Sequence, residues 1–91
     1  MNKGYRIRFK TNCQPDDIKN LFRMCRMTME ELRGRTGISM SCRHSVSDGG
    51  RTYEVNADNS NARDLAVIFI GNSRRILGEN CCSVTPVLFH G

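Results

Sequence analysis

The stretch Ile38-Ser39-Met40-Ser41-Cys42-Arg43-His44-Ser45-Val46-Ser47-Asp48-Gly49-Gly50-Arg51-Thr52-Tyr53-Glu54-Val55-Asn56-Ala57 decides how this chain folds. In its first half Ile38, Met40 and Cys42 alternate with Ser39, Ser41 and Arg43. In its second half Tyr53, Val55 and Ala57 alternate with Thr52, Glu54 and Asn56. A period of two is that of a half-buried strand, with one side chain in and the next out. Between the runs, Asp48-Gly49-Gly50 supplies residues that accept positive φ, so the pattern predicts a β-hairpin.

Working outward, Tyr5, Ile7 and Phe9 alternate with Arg6, Arg8 and Lys10, which predicts a first strand. Pro15 followed by Asp16 and Asp17 reads as a helix start, since proline suits the first turn and acids favour the positive helix end. Ile18, Leu21, Phe22, Cys25, Met29 and Leu32 then share one face, predicting a helix over 15–33 that Gly34 to Gly37 terminates. The polar break Asp58-Asn59-Ser60-Asn61 offers N-cap residues, and a second helix is expected over 61–78. Leu65 to Ile70 could instead be a short buried strand, but helix is preferred because a strand there would crowd the sheet without a layer to cover it. Val84 to Phe89 reads as a closing strand, where Pro86 favours an edge position or a bulge.

These elements give the order β-α-β-β-α-β in a single domain over residues 1–91. The expected fold class is α+β: a two-layer sandwich, ferredoxin-like or HPr-like, with an antiparallel sheet and two helices on one face. The 91 residues allow one modest core. The longest apolar run, Leu65 to Ile70, is six residues, far short of the ~20 that span a bilayer. The opening Met-Asn-Lys-Gly-Tyr-Arg-Ile-Arg has the pattern of neither a signal peptide nor a transit helix. Five cysteines, an odd number with Cys81 and Cys82 adjacent, argue against a disulfide framework, so a reduced, cytoplasmic chain is expected.

Fourteen Lys and Arg against nine Asp and Glu give a net charge of +5, which points to an acidic or nucleic-acid partner. In the expected sandwich Arg6, Arg8, Lys10 and Arg43 fall on the sheet face away from the helices. On one strand face alternate residues recur every ~6.6–6.8 Å, close to the phosphate repeat of a single nucleic-acid strand. A second basic set, Lys19, Arg23, Arg26 and Arg33, flanks the first helix, with Glu30 among it. Ala66, Ile70 and Leu77 form a second apolar face on the second helix. One sheet cannot bury both faces, so these three are expected to form an exposed interface for a homodimer or a protein partner.

Catalytic signatures are scarce. Cys13 precedes a helix start but has no histidine near it in sequence. Gly49-Gly50 joins strands and opens no helix, so it is no phosphate cradle. Asp16 and Asp17, being adjacent, face different sides of a helix. A metal site would need Cys81, Cys82, His90 and a distant ligand to converge. No catalytic residue, metal or cofactor is expected.

Two resemblances attach to particular segments. Asp17 to Ser39, with Thr28-Met29-Glu30-Glu31-Leu32 followed by Thr36-Gly37-Ile38-Ser39, resembles the first two helices of phage-repressor-type helix-turn-helix proteins, which implies a DNA-binding regulator. Arg43 falls where that family's third helix needs an apolar residue. Phe9-Lys10-Thr11-Asn12 with Asp16-Asp17-Ile18-Lys19, and Tyr53-Glu54-Val55-Asn56-Ala57, are similar to segments of degenerate HPr-like phosphocarrier proteins. That family's phosphorylatable histidine would lie near Cys13 and Gln14, and neither is histidine. The function expected is a small non-enzymatic binding or regulatory module acting by protein–protein interaction, the alternative being a nucleic-acid binder. Small size and the lack of catalytic groups fit a phage or mobile-element product.

Overall fold

Alternation in the first ten residues produces the central strand of the sheet. The computed structural model describes residues 2–90, and in it β1 (Lys3–Phe9) buries Ile7 and Phe9 while Arg6 and Arg8 turn the other way. There follow α1 (Pro15–Arg33), α2 (Arg35–Ser41), β2 (His44–Ser47), a 3-10 turn (Asp48–Gly50), β3 (Thr52–Asn56), α3 (Ser60–Leu77) and β4 (Cys82–Leu88). The sheet order is β2-β3-β1-β4 with every neighbouring pair antiparallel. β3 thus lies between the strands that α1 connects, and β1 between those that α3 connects. This is the split β-α-β arrangement of a ferredoxin-like sandwich.

Both long helices start and stop where local chemistry dictates. Pro15 opens α1 with Asp16 and Asp17 in its first turn, and Gly34, at φ 90°, closes it. The Asn59 side chain accepts a hydrogen bond from the Ala62 N–H at 2.9 Å to cap α3, which ends at Gly78. The two helices run antiparallel: Arg33 meets Asp64 and Asn61 at one end, while Asn72 reaches Cys25 further along. Phe9, Phe22, Tyr53 and Phe69 make an aromatic cluster between the layers, with ring centroids 5.0–6.3 Å apart. Burying a ring such as that of Phe69 contributes about 1.5–3 kcal/mol.

Three expectations need correction. Residues 38–43 are not a strand: Arg35–Ser41 form the short helix α2, and the hairpin keeps only His44–Ser47 as its first arm. Ile38 and Cys42 are buried at a spacing of four, and the Cys42 N–H donates to the Ile38 carbonyl at 2.9 Å. That spacing fits a strand and a helix alike; Met40 between them, 79% exposed, is what separates the two. Leu32 is 72% exposed, so the α1 stripe ends at Met29 and the core beyond it is closed by Ile38.

The expected exposed face of Ala66, Ile70 and Leu77 does not form. Ala66 is 1% exposed, and Ile70 and Leu77 are half-buried against the core. α3 packs against both the sheet and α1, so two apolar faces find cover where one sheet alone could not supply it. The exposed apolar residues of the long helices are instead Met24, Met27, Leu32, Val67 and Ile76. Among the described residues, no helix is long and apolar enough to cross a membrane.

Candidate functional site

The basic row expected on the open sheet face is interrupted twice. Arg6 and Glu54 stand opposite each other on β1 and β3, and the Arg6 guanidinium donates to the Glu54 carboxylate at 2.8 Å. Arg43 lies just before β2, and its guanidinium is 3.9 Å from the Asp58 carboxylate. Arg8 and Lys10 stay exposed. Around them the face carries Ser47, Thr52, Ser83 and Thr85 in register, a polar surface whose strands bring no aromatic ring to it. RNA-binding sheets stack bases on such rings.

The helix flank is better organised. A groove of about 420 Å³ runs between the first half of α1 and the edge strand β2. Its floor is Phe22, His44, Val46 and Tyr53, closed at one end by Pro15 and Gly50, and its rim carries Lys19, Arg23 and Arg26 with Asp16. Those cations sit at spacings of four and three on α1, which puts them on one side of the helix. Among the described residues Lys19 and Arg23 have no carboxylate within salt-bridge reach, and Arg26 has only Glu30 at 3.9 Å. Arg33 leaves the set, because it pairs with Asp64 at 2.6 Å.

His44 is built into the floor. Its ring centroid is 4.5 Å from that of Phe22, and it stacks on Tyr53 at 6.3 Å with 9° between the planes. Desolvation of the ring, and then the Arg26 charge, lower its pKa from the ordinary 6.5. Burial raises the Tyr53 phenol in the same way. The groove therefore offers an apolar, aromatic surface under a rim of three cations and one acid, Asp16.

Asn56 ties the start of β2 to the end of α2 and to the loop before α3. It is 1% exposed, at the end of β3, although alternation assigns it to the solvent side. Its Oδ1 accepts from the Arg43 N–H at 2.8 Å, and its Nδ2 donates to the Ser41 carbonyl and to Asp58, each at 2.8 Å. Asn59 adds a bond to the same Ser41 carbonyl at 2.9 Å. The end of α2, the start of β2 and the entry to α3 are thus joined at one amide. The Asn56 bond is the largest cause of the lowered Asp58 pKa.

All five cysteines are free and buried. Burial raises the Cys42 thiol, and Cys81 is pushed up to about 11 by burial and then by adjacent Cys82. Cys13 sits with its Sγ 3.7 Å from the Cys81 carbonyl oxygen. Among the described residues no three His, Cys, Asp or Glu side chains come together as a metal site. The groove combines a signal legible in the sequence, the cations along one flank of α1, with a floor from β2 and β3 that the sequence reading did not single out. Only the tertiary fold brings them together. No family model matches this chain, and no curated protein or solved structure matches it either.

Proposed function

We propose that this chain is a non-enzymatic binding module that takes an acidic segment of a partner protein into the groove between α1 and β2. The observation that carries this reading is the positive rim of Lys19, Arg23 and Arg26 around an aromatic floor, with little acid of its own to neutralise it. An apolar floor under a charged rim suits a segment that combines one apolar anchor with flanking carboxylates. The open sheet face supports the nucleic-acid reading less well, because Arg6 and Arg43 are paired there.

The test is selection of displayed random peptides on the immobilised protein, followed by titration of the enriched peptides. Enriched sequences should be acidic, and Lys19→Glu with Arg23→Glu should weaken them at least tenfold. Arg6→Glu with Arg8→Glu should leave their affinity unchanged. Tight, steeply salt-dependent binding of a single-stranded oligonucleotide, abolished by the Arg6 and Arg8 changes, would overturn the proposal in favour of the sheet face.

A further inference from the structure

We infer, building on the acidic-segment reading, that the segment binds as an added strand on the free edge of β2. The ladder fixes which backbone groups are available. The Asn56 N–H donates to the Arg43 carbonyl at 3.1 Å, and the register pairs His44 with Val55 and Val46 with Tyr53. In an antiparallel ladder bonded and non-bonded pairs alternate, so Ser45 and Ser47 bond to β3. The N–H and C=O groups of His44 and Val46 face outward, where no strand follows among the described residues.

The opposite edge supplies a contrast within the same sheet. On β4 the Lys10 N–H donates to the Cys81 carbonyl at 2.9 Å, and the Phe89 N–H to the Asn2 carbonyl at 2.8 Å. Counting between those bonded pairs places Pro86, opposite Tyr5, among the residues whose nitrogen points away from β1. Proline has no N–H to offer there, a common way to protect an edge. β2 has no such device: His44-Ser45-Val46-Ser47 carries no proline and no charged side chain, and all four residues are exposed.

Side-chain geometry fits the same mode. His44 and Val46 turn to the helix side and floor the groove, so alternate residues of an added strand would enter it beside them. Lys19 to Arg26 spans about 10.5 Å along α1 at the helical rise. Two inward residues of a strand flanking a central one are about 13 Å apart. One apolar anchor between two acids therefore matches a floor of Phe22, His44 and Val46 under a rim of Lys19, Arg23 and Arg26. A second copy of this chain is a poor occupant, since each copy carries +5.

The experiment uses the full chain and a labelled seven-residue peptide in which threonines alternate with glutamate, leucine and glutamate. Binding is read by fluorescence anisotropy at low salt and by amide exchange. Strand addition predicts saturable binding with slowed exchange at the His44 and Val46 amides. Val46→Pro, which removes an outward N–H at an extended position, should weaken binding at least tenfold, while Val46→Ala weakens it less than threefold. N-methylation of the peptide leucine should reproduce the loss, which keeps the test decisive if Val46→Pro fails to fold. If Val46→Pro and the N-methyl peptide bind normally while Lys19→Glu with Arg23→Glu does not, strand addition is overturned and the groove reading stands. Failure of the unmodified peptide to bind, or a dimer that Val46→Pro dissociates, overturns the strand-addition proposal; indifference of binding to the Lys19 and Arg23 changes overturns the groove reading.

Discussion

Replacing Asn56 by alanine removes one amide from the junction of α2, β2 and α3, and the consequences follow bond by bond. The Ser41 carbonyl keeps its second donor, Asn59, at 2.9 Å, and Asp58 is exposed and regains water. The Arg43 N–H is the group left without its acceptor. Orphaning a buried donor costs about 1–3 kcal/mol, and this one is part-buried. In a domain of this size a loss of about 2 kcal/mol lowers Tm by roughly 8–16 °C. Asn56→Asp is the informative companion. One new oxygen still accepts from Arg43, but the other faces the Ser41 carbonyl and the Asp58 carboxylate, where a donor is required. The carboxyl at position 56 therefore has a raised folded pKa, so this variant loses stability as pH rises through the carboxylate range and recovers it on acidification. Asp58 responds in the opposite sense. Its folded pKa is lowered, so the wild-type chain holds the associated stability above pH 3.8 and loses it as pH falls below that value. Urea unfolding followed by circular dichroism from about pH 2 to about pH 8 spans both carboxyl transitions and measures all three proteins. An Asn56→Ala loss below about 0.5 kcal/mol, well under the range for an orphaned donor, with no pH dependence in Asn56→Asp, refutes the role given to this amide.

Gly4→Ala should lower stability by about 1–3 kcal/mol, since overpacking forces backbone movement; a Cβ there would lie 2.6 Å from the Val55 carbonyl oxygen and 2.8 Å from the Phe89 Cβ. An unchanged thermal melt would contradict that. The His44 ring protons should titrate with a midpoint below 6.5 by NMR. Because the folded pKa is the lower one, this histidine makes the protein less stable as pH falls through 6.5, and a midpoint at or above that value refutes the packing described. Arg6→Gln should change unfolding free energy by less than about 1 kcal/mol, as expected for a partly exposed pair, and a larger loss by denaturant titration would show the pair to be structural. Thiol reagent added to the native protein at pH 8 should label the cysteines far more slowly than the unfolded chain, and rapid labelling would contradict their burial.

Periodicity carried most of the fold, and its failures are instructive. The α1 boundaries were legible because Pro15 and Gly34 are local devices that act whatever surrounds them. α2 was hidden because Ile38 and Cys42 satisfy both periods, and only the exposure of Met40 distinguishes helix from strand. Ala66, Ile70 and Leu77 misled for a different reason: the argument allowed α3 one neighbour, the sheet, and the fold gives it α1 as well. On the candidate site, Lys19, Arg23 and Arg26 were visible as a flank. Nothing local distinguishes a solvated flank from the rim of a groove, because apart from Phe22 the floor comes from β2 and β3, further along the chain. Asn56 was placed on the solvent side by the same alternation that placed Tyr53 and Val55 correctly. A strand's last residue is where the chain turns away and the alternation stops constraining where the side chain goes.

Pro86 also limits how molecules of this chain can join one another. A sheet with two open edges extends indefinitely when the edge of one copy meets the opposite edge of the next, which is how head-to-tail filaments grow. Here β2 is open and β4 is interrupted at Pro86, so that repeat lacks a partner face. Head-to-tail repetition of that kind loses a backbone hydrogen bond at every β4 edge. Replacing Pro86 by a residue with an N–H removes the block, and that single variant is where concentration-dependent polymerisation should first appear.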